Sequence, residues 1–363
     1  MAARADIVVF GTGSFAARIL LDIAATARVP VAVAIAGRNV ARLDWLRTAA
    51  NARAAIFERP ASFITRAADL ALPDAAETVL AELAPKLVVQ AASAQAASVI
   101  SGQGDGWSRL VAEGGLSVTA VFQALFSARV AKALARLSPH CPFINCCFAD
   151  AVNALLASAG LAVTCGIGNV AILASAFAGE LGPRAGRDVK VLAHYQTIGP
   201  WRQAAATRGG PAARVWIAGE EVADVYAKFR RVQLTPEPVI DISGASGVPL
   251  MLAIAAGAEW HGHAPGPLGL IGGYPVAWSG GALALDLPRG LEREEAVRWN
   301  RSFEERSGLV AGADGKAHYT GVLYERLRAV SPTLAEGFAM RDLEEVYREM
   351  AALRARLQER TAD

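Results

Sequence analysis

A glycine-rich segment near the start of the chain has the spacing of a phosphate-binding turn. The sequence GTGSFA at residues 11–16 directly follows the apolar run 6–10 and opens a helical pattern. Gly11 permits a tight turn, Gly13 lets the backbone approach a pyrophosphate, and the helix N-terminus stabilises the phosphate charge. An ordinary tight turn between a strand and a helix is the alternative. The residues predicted to bind a dinucleotide here are Gly11, Thr12, Gly13, Ser14, Phe15 and Ala16.

The end of the next apolar run indicates which dinucleotide is bound. It reads AGRN at residues 36–39, with Arg42 one turn further on. An NAD-selective site usually carries a carboxylate here, and Asp44 comes too late to supply it. Arg38 could pair with the 2′-phosphate of NADP, supported by Asn39 or Arg42. The sequence therefore predicts NADP(H) as the cofactor, with a solvated loop arginine as the alternative.

Polar residues follow the predicted strands where ligands bind in open α/β sheets. Ala92 and Ser93 follow the fourth strand and are assigned to the cofactor, and Gln123 follows a predicted fifth strand. Asp150 and Asn153 follow the sixth strand. A carboxylate at residue 150 could orient an amine or imine nitrogen, or relay a proton. It could also simply cap the next helix.

The second half of the chain supplies further candidates. His194 ends a predicted strand, where it could serve as a general acid beside the nicotinamide or be an ordinary hydrogen-bonded histidine. Asp150 and His194 are the predicted catalytic residues. His261 and His263 are predicted at a helix end before a glycine-rich loop, where their spacing disfavours a metal pair, so no metal site is predicted. The predicted substrate-binding residues are Asn153, Tyr195, Arg202, His261, His263 and Tyr274.

The first 150 residues alternate short apolar runs with helical patterns. Strands apolar on both faces indicate a parallel sheet covered on both sides, and six of them match a complete dinucleotide-binding domain. The predicted strands are 6–10, 31–36, 54–57, 87–91, 117–122 and 142–148. The predicted helices are 15–27, 41–50, 75–84, 106–113 and 127–137. The predicted fold class is α/β, with an N-terminal Rossmann doubly wound parallel sheet.

After residue 150 the pattern favours an α+β substrate domain. Hairpin turns are expected at 219–220 and 280–281, and an apolar helix at 246–260. One helical stripe near the C-terminus, packed on the body or on a second subunit, comprises Leu343, Val346, Tyr347, Met350, Leu353 and Leu357. The predicted domains are 1–150 for NADP, 151–330 for substrate and catalysis, and 331–363 as a C-terminal helical segment.

Composition narrows the functional class. Of 363 residues, 53% are hydrophobic and 19% charged, which excludes disorder, and a net charge of +2 gives no reason to expect nucleic acid or an anionic membrane. Segment 151–179 has no charged residue but contains three glycines before Gly179, so we expect buried core and no membrane span. Four cysteines without a CxxC pair favour free thiols in the cytoplasm. A homodimer is expected because symmetric homo-oligomers are common.

The first 150 residues resemble the saccharopine-dehydrogenase-like and opine-dehydrogenase-like oxidoreductases. The resemblance rests on GTGSFA, on AGRN, on LVVQAAS at 87–93 and on CCFAD at 146–150. It implies reduction by hydride of an imine formed from an amine or amino acid and a 2-oxo acid. Asp150 matches the family's aspartate, and His194 matches its histidine approximately. Carbonyl or alcohol redox chemistry without an amine, and a non-catalytic NADP-binding sensor, are the alternatives.

Overall fold

A parallel sheet organises the first part of the computed structural model, which describes residues 4–95, 99, 104–237, 239–312 and 314–359. Its strands are β1 (Ile7–Phe10), β2 (Val31–Gly37), β3 (Ala61–Ala67), β4 (Leu87–Gln90) and β5 (Phe143–Asn145). The strand order is β3-β2-β1-β4-β5, and every pairing is parallel. One parallel bridge between Ile144 and Cys165 continues the sheet beyond β5. The predicted α/β class is confirmed.

Helices cover both faces of this sheet. They are α1 (Ser14–Thr26), α2 (Val40–Ile56), α3 (Ala75–Leu83), α4 (Gly106–Gly114), α5 (Ala120–Leu137) and α6 (Ala149–Ser158). Alternate residues of β1 pack into different cores: Ile7 and Val9 face α1 and α2, whereas Val8 and Phe10 face α3 and α5. Burial on both faces explains why the central strands read as continuous apolar runs.

Two of the six predicted strands are wrong, and the described part of the sheet has five strands. Residues 54–57 belong to the end of α2, and the third strand is Ala61–Ala67. Residues 117–122 form a 3-10 turn that runs into α5, so Gln123 lies on a helix and does not follow a strand. A short apolar run that is buried on all sides fits helix or strand equally well.

The second part of the chain contains two antiparallel sheets with helices, as expected for an α+β region. Its elements are α7 (Val170–Ala185), β6 (Val189–Leu192), β7 (Arg214–Ile217), β8 (Glu220–Glu221), α8 (Val225–Lys228), α9 (Ile240–Ser246), α10 (Val248–Ala256), β9 (Trp260–Pro265), β10 (Gly273–Ser279), β11 (Ala282–Leu285) and α11 (Arg293–Arg306). Sheets β6-β7-β8 and β9-β10-β11 meet at a bridge between Ala193 and Gly273. Both predicted hairpins are present, the first with its turn at 218–219, one residue earlier than predicted. The helix predicted over 246–260 ends at Ala256.

The last elements of the chain pack against the helices that cover one face of the parallel sheet. They are β12 (Gly308–Ala311), β13 (Lys316–Thr320), α12 (Gly321–Val330), α13 (Pro332–Ala335), β14 (Phe338–Ala339) and α14 (Leu343–Glu359). The buried residues of α14 share one core with α4 and α5. The Arg354 guanidinium lies 4.5 Å from the ring centroid of Phe122. The predicted stripe therefore packs on the body, while the domain boundaries at 150 and 330 stay predictions.

The apolar segments of the chain lie in the interior. Within the described residues, Leu116–Leu137 is long and apolar enough to cross a membrane, but 72% of its most apolar window is buried in the fold. Six residues of α6 that belong to the predicted buried segment 151–179 are buried. All four cysteines are free thiols.

Candidate functional site

A cleft of about 1010 Å³ opens at the carboxyl ends of β1, β4 and β5. Of the residues predicted to bind the cofactor, the cleft is lined by Gly11, Thr12, Gly13, Ser14, Phe15, Arg38, Ala92 and Ser93. Of the predicted substrate residues, it is lined by Tyr195 and Arg202. This is the edge at which open α/β sheets bind ligands.

The glycine-rich turn is shaped to admit a diphosphate. Gly11 has φ +129°, and a Cβ there would lie 2.9 Å from the carbonyl carbon of Ala91. A Cβ on Gly13 would meet no protein atom within 4 Å, so this side of the turn faces the open cleft. Helix α1 has no side-chain cap, so the N–H groups of its first turn are available to an anion. Ala16 is fully buried and supports the turn from behind. These residues fit a dinucleotide pyrophosphate.

The three polar residues after β2 have different roles. Asn39 caps α2 by accepting a hydrogen bond of 3.0 Å from the Arg42 N–H. Arg42 Nε donates to the Thr12 carbonyl at 3.2 Å, and its guanidinium lies 4.7 Å from the Trp45 ring centroid. Asn39 and Arg42 hold the turn together and do not line the cleft. Arg38 does line it, is exposed, and has no carboxylate partner among the described residues. Of these three residues, only Arg38 lines the cleft.

The loop after β4 is fixed by side-chain hydrogen bonds. Gln90 is fully buried, its Nε2 donates to the Ala92 carbonyl at 2.8 Å, and its Oε1 accepts from the Ala92 N–H at 3.3 Å. Ser93 Oγ donates to the Gln95 carbonyl at 2.9 Å. Arg354 of α14 donates to Gln95 Oε1 at 3.0 Å. These hydrogen bonds connect residues 90–95 of the cleft wall to one another and to α14.

Asp150 is a fully buried carboxylate in the first turn of α6. Its Oδ1 accepts from the Tyr195 N–H at 3.1 Å, and its Oδ2 accepts from the Asn169 side-chain amide. Burial raises the pKa of Asp150, although His194 and the hydrogen bonds oppose that shift. The residue does not cap the helix, since Phe148 occupies the N-cap position. Asp150 lies behind the cleft wall and holds Asn169, which lines it.

The backbone of the cleft wall is strained at two positions. Phe148 has φ +50°, and Asn169 has φ +47° with ψ −104°. Non-glycine residues adopt such conformations rarely, and functional sites are enriched in them. Both residues line the cleft, and the Phe148 ring packs edge-on against Tyr195, with 4.9 Å between centroids. Neither residue is among those predicted from the sequence to form the site.

His194 is fully buried and paired with a carboxylate that sequence reasoning missed. Its Nδ1 accepts from the Gln196 N–H at 3.3 Å, which places the proton of a neutral ring on Nε2. Nε2 lies 3.0 Å from Oε1 of Glu304 on α11, close but not aligned as a hydrogen bond. The ring stacks on Phe303. Like Asp150, His194 does not line the cleft, so its catalytic role stays a prediction.

Glu304 is connected to the cleft through hydroxyl groups. Its Oε2 accepts from Ser117 Oγ at 3.1 Å and from the Leu309 N–H at 2.5 Å. Ser117 Oγ lies 3.0 Å from the Tyr195 hydroxyl, to which Gln196 Nε2 donates at 3.3 Å. Burial raises the pKa of the Tyr195 phenol, and the charge of Glu304 raises it further.

Two predicted substrate residues lie in the core instead of the cleft. Asn153 Oδ1 accepts from Asn145 at 2.8 Å, and its Nδ2 donates to the Gly266 carbonyl at 2.9 Å. The Tyr274 hydroxyl donates to the Ile271 carbonyl at 2.8 Å. Their polar groups are used to hold the loop around 266–272.

His261 and His263 line a second cavity of about 1000 Å³. They lie on β9, so their predicted position at a helix end is wrong. His263 Nε2 accepts from the Val191 N–H at 2.9 Å, and His261 Nδ1 lies 3.3 Å from Asp286. Among the described residues, no three histidine, cysteine or acidic side chains are grouped to hold a metal ion.

His263 gives the fold a dependence on pH. Burial, and secondarily the charge of Lys190, lower its pKa to about 4 from an ordinary 6.5. Its stabilising contribution is therefore complete above pH 6.5 and is lost as the pH falls towards 4. We expect the unfolding free energy, measured in urea, to decline across this range. The decline should be smaller in His263→Gln, whose amide oxygen can still accept from Val191. Parallel declines in both proteins would contradict this.

Comparisons with known proteins identify the fold only. No protein-family model and no curated protein matches the chain. The lactate dehydrogenase of Cryptosporidium parvum, complexed with lactic acid and β-nicotinamide adenine dinucleotide, has a TM-score of 0.51 at 12% identity, covering 97% of this chain and 99% of that one. For the lactate dehydrogenase of Eimeria maxima with NADH and oxamate, the TM-score is 0.51 at 12% identity, with coverage of 84% and 92%.

The malate dehydrogenase of Picrophilus torridus in its apo form also matches. Its TM-score is 0.51 at 13% identity, with coverage of 83% of this chain and 95% of that one. At such low identity these likenesses show a shared fold, a Rossmann sheet with a second domain. They do not support the saccharopine and opine dehydrogenases in particular, so that resemblance stays a prediction.

Proposed function

We propose that this protein is an NADP(H)-dependent oxidoreductase that reduces an imine formed from an amine or amino acid and a 2-oxo acid. One observation carries the proposal. The open glycine-rich turn and uncapped α1 face the same cleft as Tyr195, Asn169 and Arg202. A cofactor held by the turn would share this cleft with a small substrate.

Support for NADP(H) comes from the residue after β2. Gly13 and the first turn of α1 would hold the pyrophosphate, and Arg38 would pair with the 2′-phosphate. When bound, this cofactor supplies a hydride. The solved neighbours named with NAD or NADH share the fold, and Arg38 is the feature of this chain that favours the phosphorylated form.

The buried carboxyl groups behind the cleft wall support an imine as the substrate. Asp150 and Glu304 are buried carboxyl groups directly behind the wall formed by Asn169 and Tyr195. When ionised, they favour a cationic imine nitrogen over a neutral carbonyl, because charges interact strongly where water is excluded. Arg202, exposed in the cleft, suits the carboxylate of an amino or oxo acid.

A 2-oxo acid reduced without an amine is the second candidate. Arg202 would bind its carboxylate equally well, and the solved neighbours are named with lactic acid or oxamate. The deciding experiment follows NADPH oxidation with 2-oxo acids, each with and without amino acids or diamines. Oxidation that needs both partners supports the imine, and oxidation with the oxo acid alone supports the second candidate. NADPH binding without turnover across the whole panel would favour a sensor and contradict both.

Arg38 should determine which dinucleotide binds. We expect Arg38→Ala to weaken NADPH binding about 10- to 100-fold, the equivalent of one charge-assisted contact, and to leave NADH binding nearly unchanged. The measurement is calorimetric titration of both cofactors. Arg59→Ala is the matched control, because Arg59 is exposed and lies outside the cleft. Equal losses for NADPH and NADH would remove the case for NADP selectivity.

A further inference from the structure

The proposed reaction needs a proton as well as a hydride, and neither predicted proton donor lines the cleft. Asp150 and His194 are fully buried, while Tyr195 lines the cleft. Behind Tyr195 lies Glu304, which has no lysine or arginine partner among the described residues. A buried carboxyl group without a cationic partner is rare and marks a functional site more often than a structural one.

The hydrogen bonds between Tyr195 and Glu304 point in one direction. Ser117 Oγ has one proton, which it donates to Glu304 Oε2 at 3.1 Å. At the 3.0 Å contact, the Tyr195 hydroxyl is therefore the donor and Ser117 the acceptor. Gln196 Nε2 has no lone pair to offer and donates to the Tyr195 oxygen. The result is an ordered chain from the cleft to a buried carboxyl group.

We propose that the Tyr195 hydroxyl exchanges the proton with the substrate and that Ser117 and Glu304 form a relay behind it. The proposal rests on the proposed oxidoreductase function. The observed hydrogen bonds run in the direction of oxidation: Tyr195 takes the substrate proton, Ser117 takes that of Tyr195, and the Glu304 carboxylate takes that of Ser117. In reduction, a protonated Glu304 donates to Ser117, and both hydroxyl groups turn so that Ser117 donates to Tyr195 and Tyr195 donates to the substrate nitrogen or oxygen. Glu304 is then left as a carboxylate, and water in the cleft restores its proton through the same chain.

His194 has a positioning role in this scheme. Its Nδ1 is occupied by the Gln196 N–H, and its Nε2 lies 3.0 Å from Glu304 Oε1, close but not aligned as a hydrogen bond. From there the imidazole can stabilise the carboxylate left after proton transfer without itself reaching the cleft. The raised pKa of Tyr195 keeps the phenol protonated until the substrate takes its proton.

The test uses Tyr195→Phe and Glu304→Gln, with the half-buried Tyr324→Phe outside the cleft and the exposed Glu305→Gln as controls. We expect unchanged NADPH affinity, KM within a few-fold, and a kcat lowered about 100-fold or more, as for loss of a general acid. Glu304→Gln should also lose one limb of the pH–kcat profile. Ser117→Ala interrupts the chain midway and replaces Glu304→Gln if that variant does not fold. A Tyr195→Phe protein that binds NADPH and keeps its kcat would overturn the relay.

A second measurement needs neither cofactor nor substrate. Tyrosinate absorbance of the free protein is followed against pH. Removing the Glu304 charge should let Tyr195 ionise at lower pH in Glu304→Gln than in the wild type, and Tyr195→Phe should lose that step. If Tyr195 ionises at the same pH in the wild type and in Glu304→Gln, the proposed coupling between Tyr195 and Glu304 is overturned. Failure of the wild type to bind NADPH would instead refute the proposed function, while this titration would still decide the coupling.

Discussion

Replacing Gly13 with alanine is expected to weaken dinucleotide binding strongly and leave the fold intact. Gly13 has extended backbone angles that any residue can adopt, and its Cβ would meet no protein atom within 4 Å. The added methyl group would instead occupy the space where the pyrophosphate approaches. A steric penalty of about 3 kcal/mol corresponds to roughly a 100-fold weaker Kd. NADPH titration and a thermal melt measure the two effects separately.

Gly11→Ala is the matched variant, with the opposite balance of effects. Here the backbone is in the left-handed region, and the Cβ would lie 2.9 Å from the Ala91 carbonyl carbon. We expect a loss of about 2–4 kcal/mol in the unfolding free energy, since conformational strain and steric overlap act together. A Gly13→Ala protein as unstable as Gly11→Ala, or one that binds NADPH normally, would refute the placement of the pyrophosphate.

Asp150→Ala is expected to destabilise the fold and disorganise the cleft wall. It leaves the Tyr195 N–H and the Asn169 amide without their acceptor. Each unsatisfied buried donor costs about 1–3 kcal/mol, so the total loss is roughly 2–6 kcal/mol. The strained Asn169 backbone would then relax, and turnover should fall with stability. Chemical unfolding and steady-state kinetics measure the two losses, and full activity with intact stability would contradict this account.

The pH dependence of Asp150 runs opposite to that of most aspartates. Burial raises the pKa of Asp150 in the folded protein above the ordinary 3.8. At pH values between 3.8 and the folded pKa, the folded state therefore binds more protons than the unfolded state. Stability contributed by Asp150 is therefore lost as the pH rises through the folded pKa. The difference in unfolding free energy between wild type and Asp150→Asn should shrink or become more negative with rising pH. A difference that grows with pH would contradict the raised pKa.

The sequence was informative where one local pattern admits one structure. Residues 6–37 were predicted well, because a glycine-rich turn between a buried strand and a helix leaves few alternatives. The third strand was missed because Ala61–Ala67 lies at the sheet edge, only partly buried and carrying Arg66. The segment Leu116–Leu137 is predicted as a strand followed by a separate helix. A helix that is buried on all sides lacks the polar face that would reveal its period.

The same distinction, between local patterns and distant contacts, applies to the residues of the candidate site. The cofactor turn is a contiguous motif, so its residues could be named in advance. Glu304 could not, because α11 carries several acidic residues and only tertiary packing buries this one against His194. Ser117 was assigned to a strand, and its contact with Glu304 spans 187 residues. Contacts over such separations leave no trace in local periodicity.

The packing of α14 on α4 and α5 also has a consequence for biosynthesis. One core contains residues from Ala5 to Leu357, so elements made early in synthesis are covered by a helix made much later. N-terminal domains commonly fold while the ribosome is still translating. Here the apolar surfaces of α4 and α5 stay uncovered until α14 has been made. The nascent chain therefore exposes these surfaces for longer than one whose first half closes on itself.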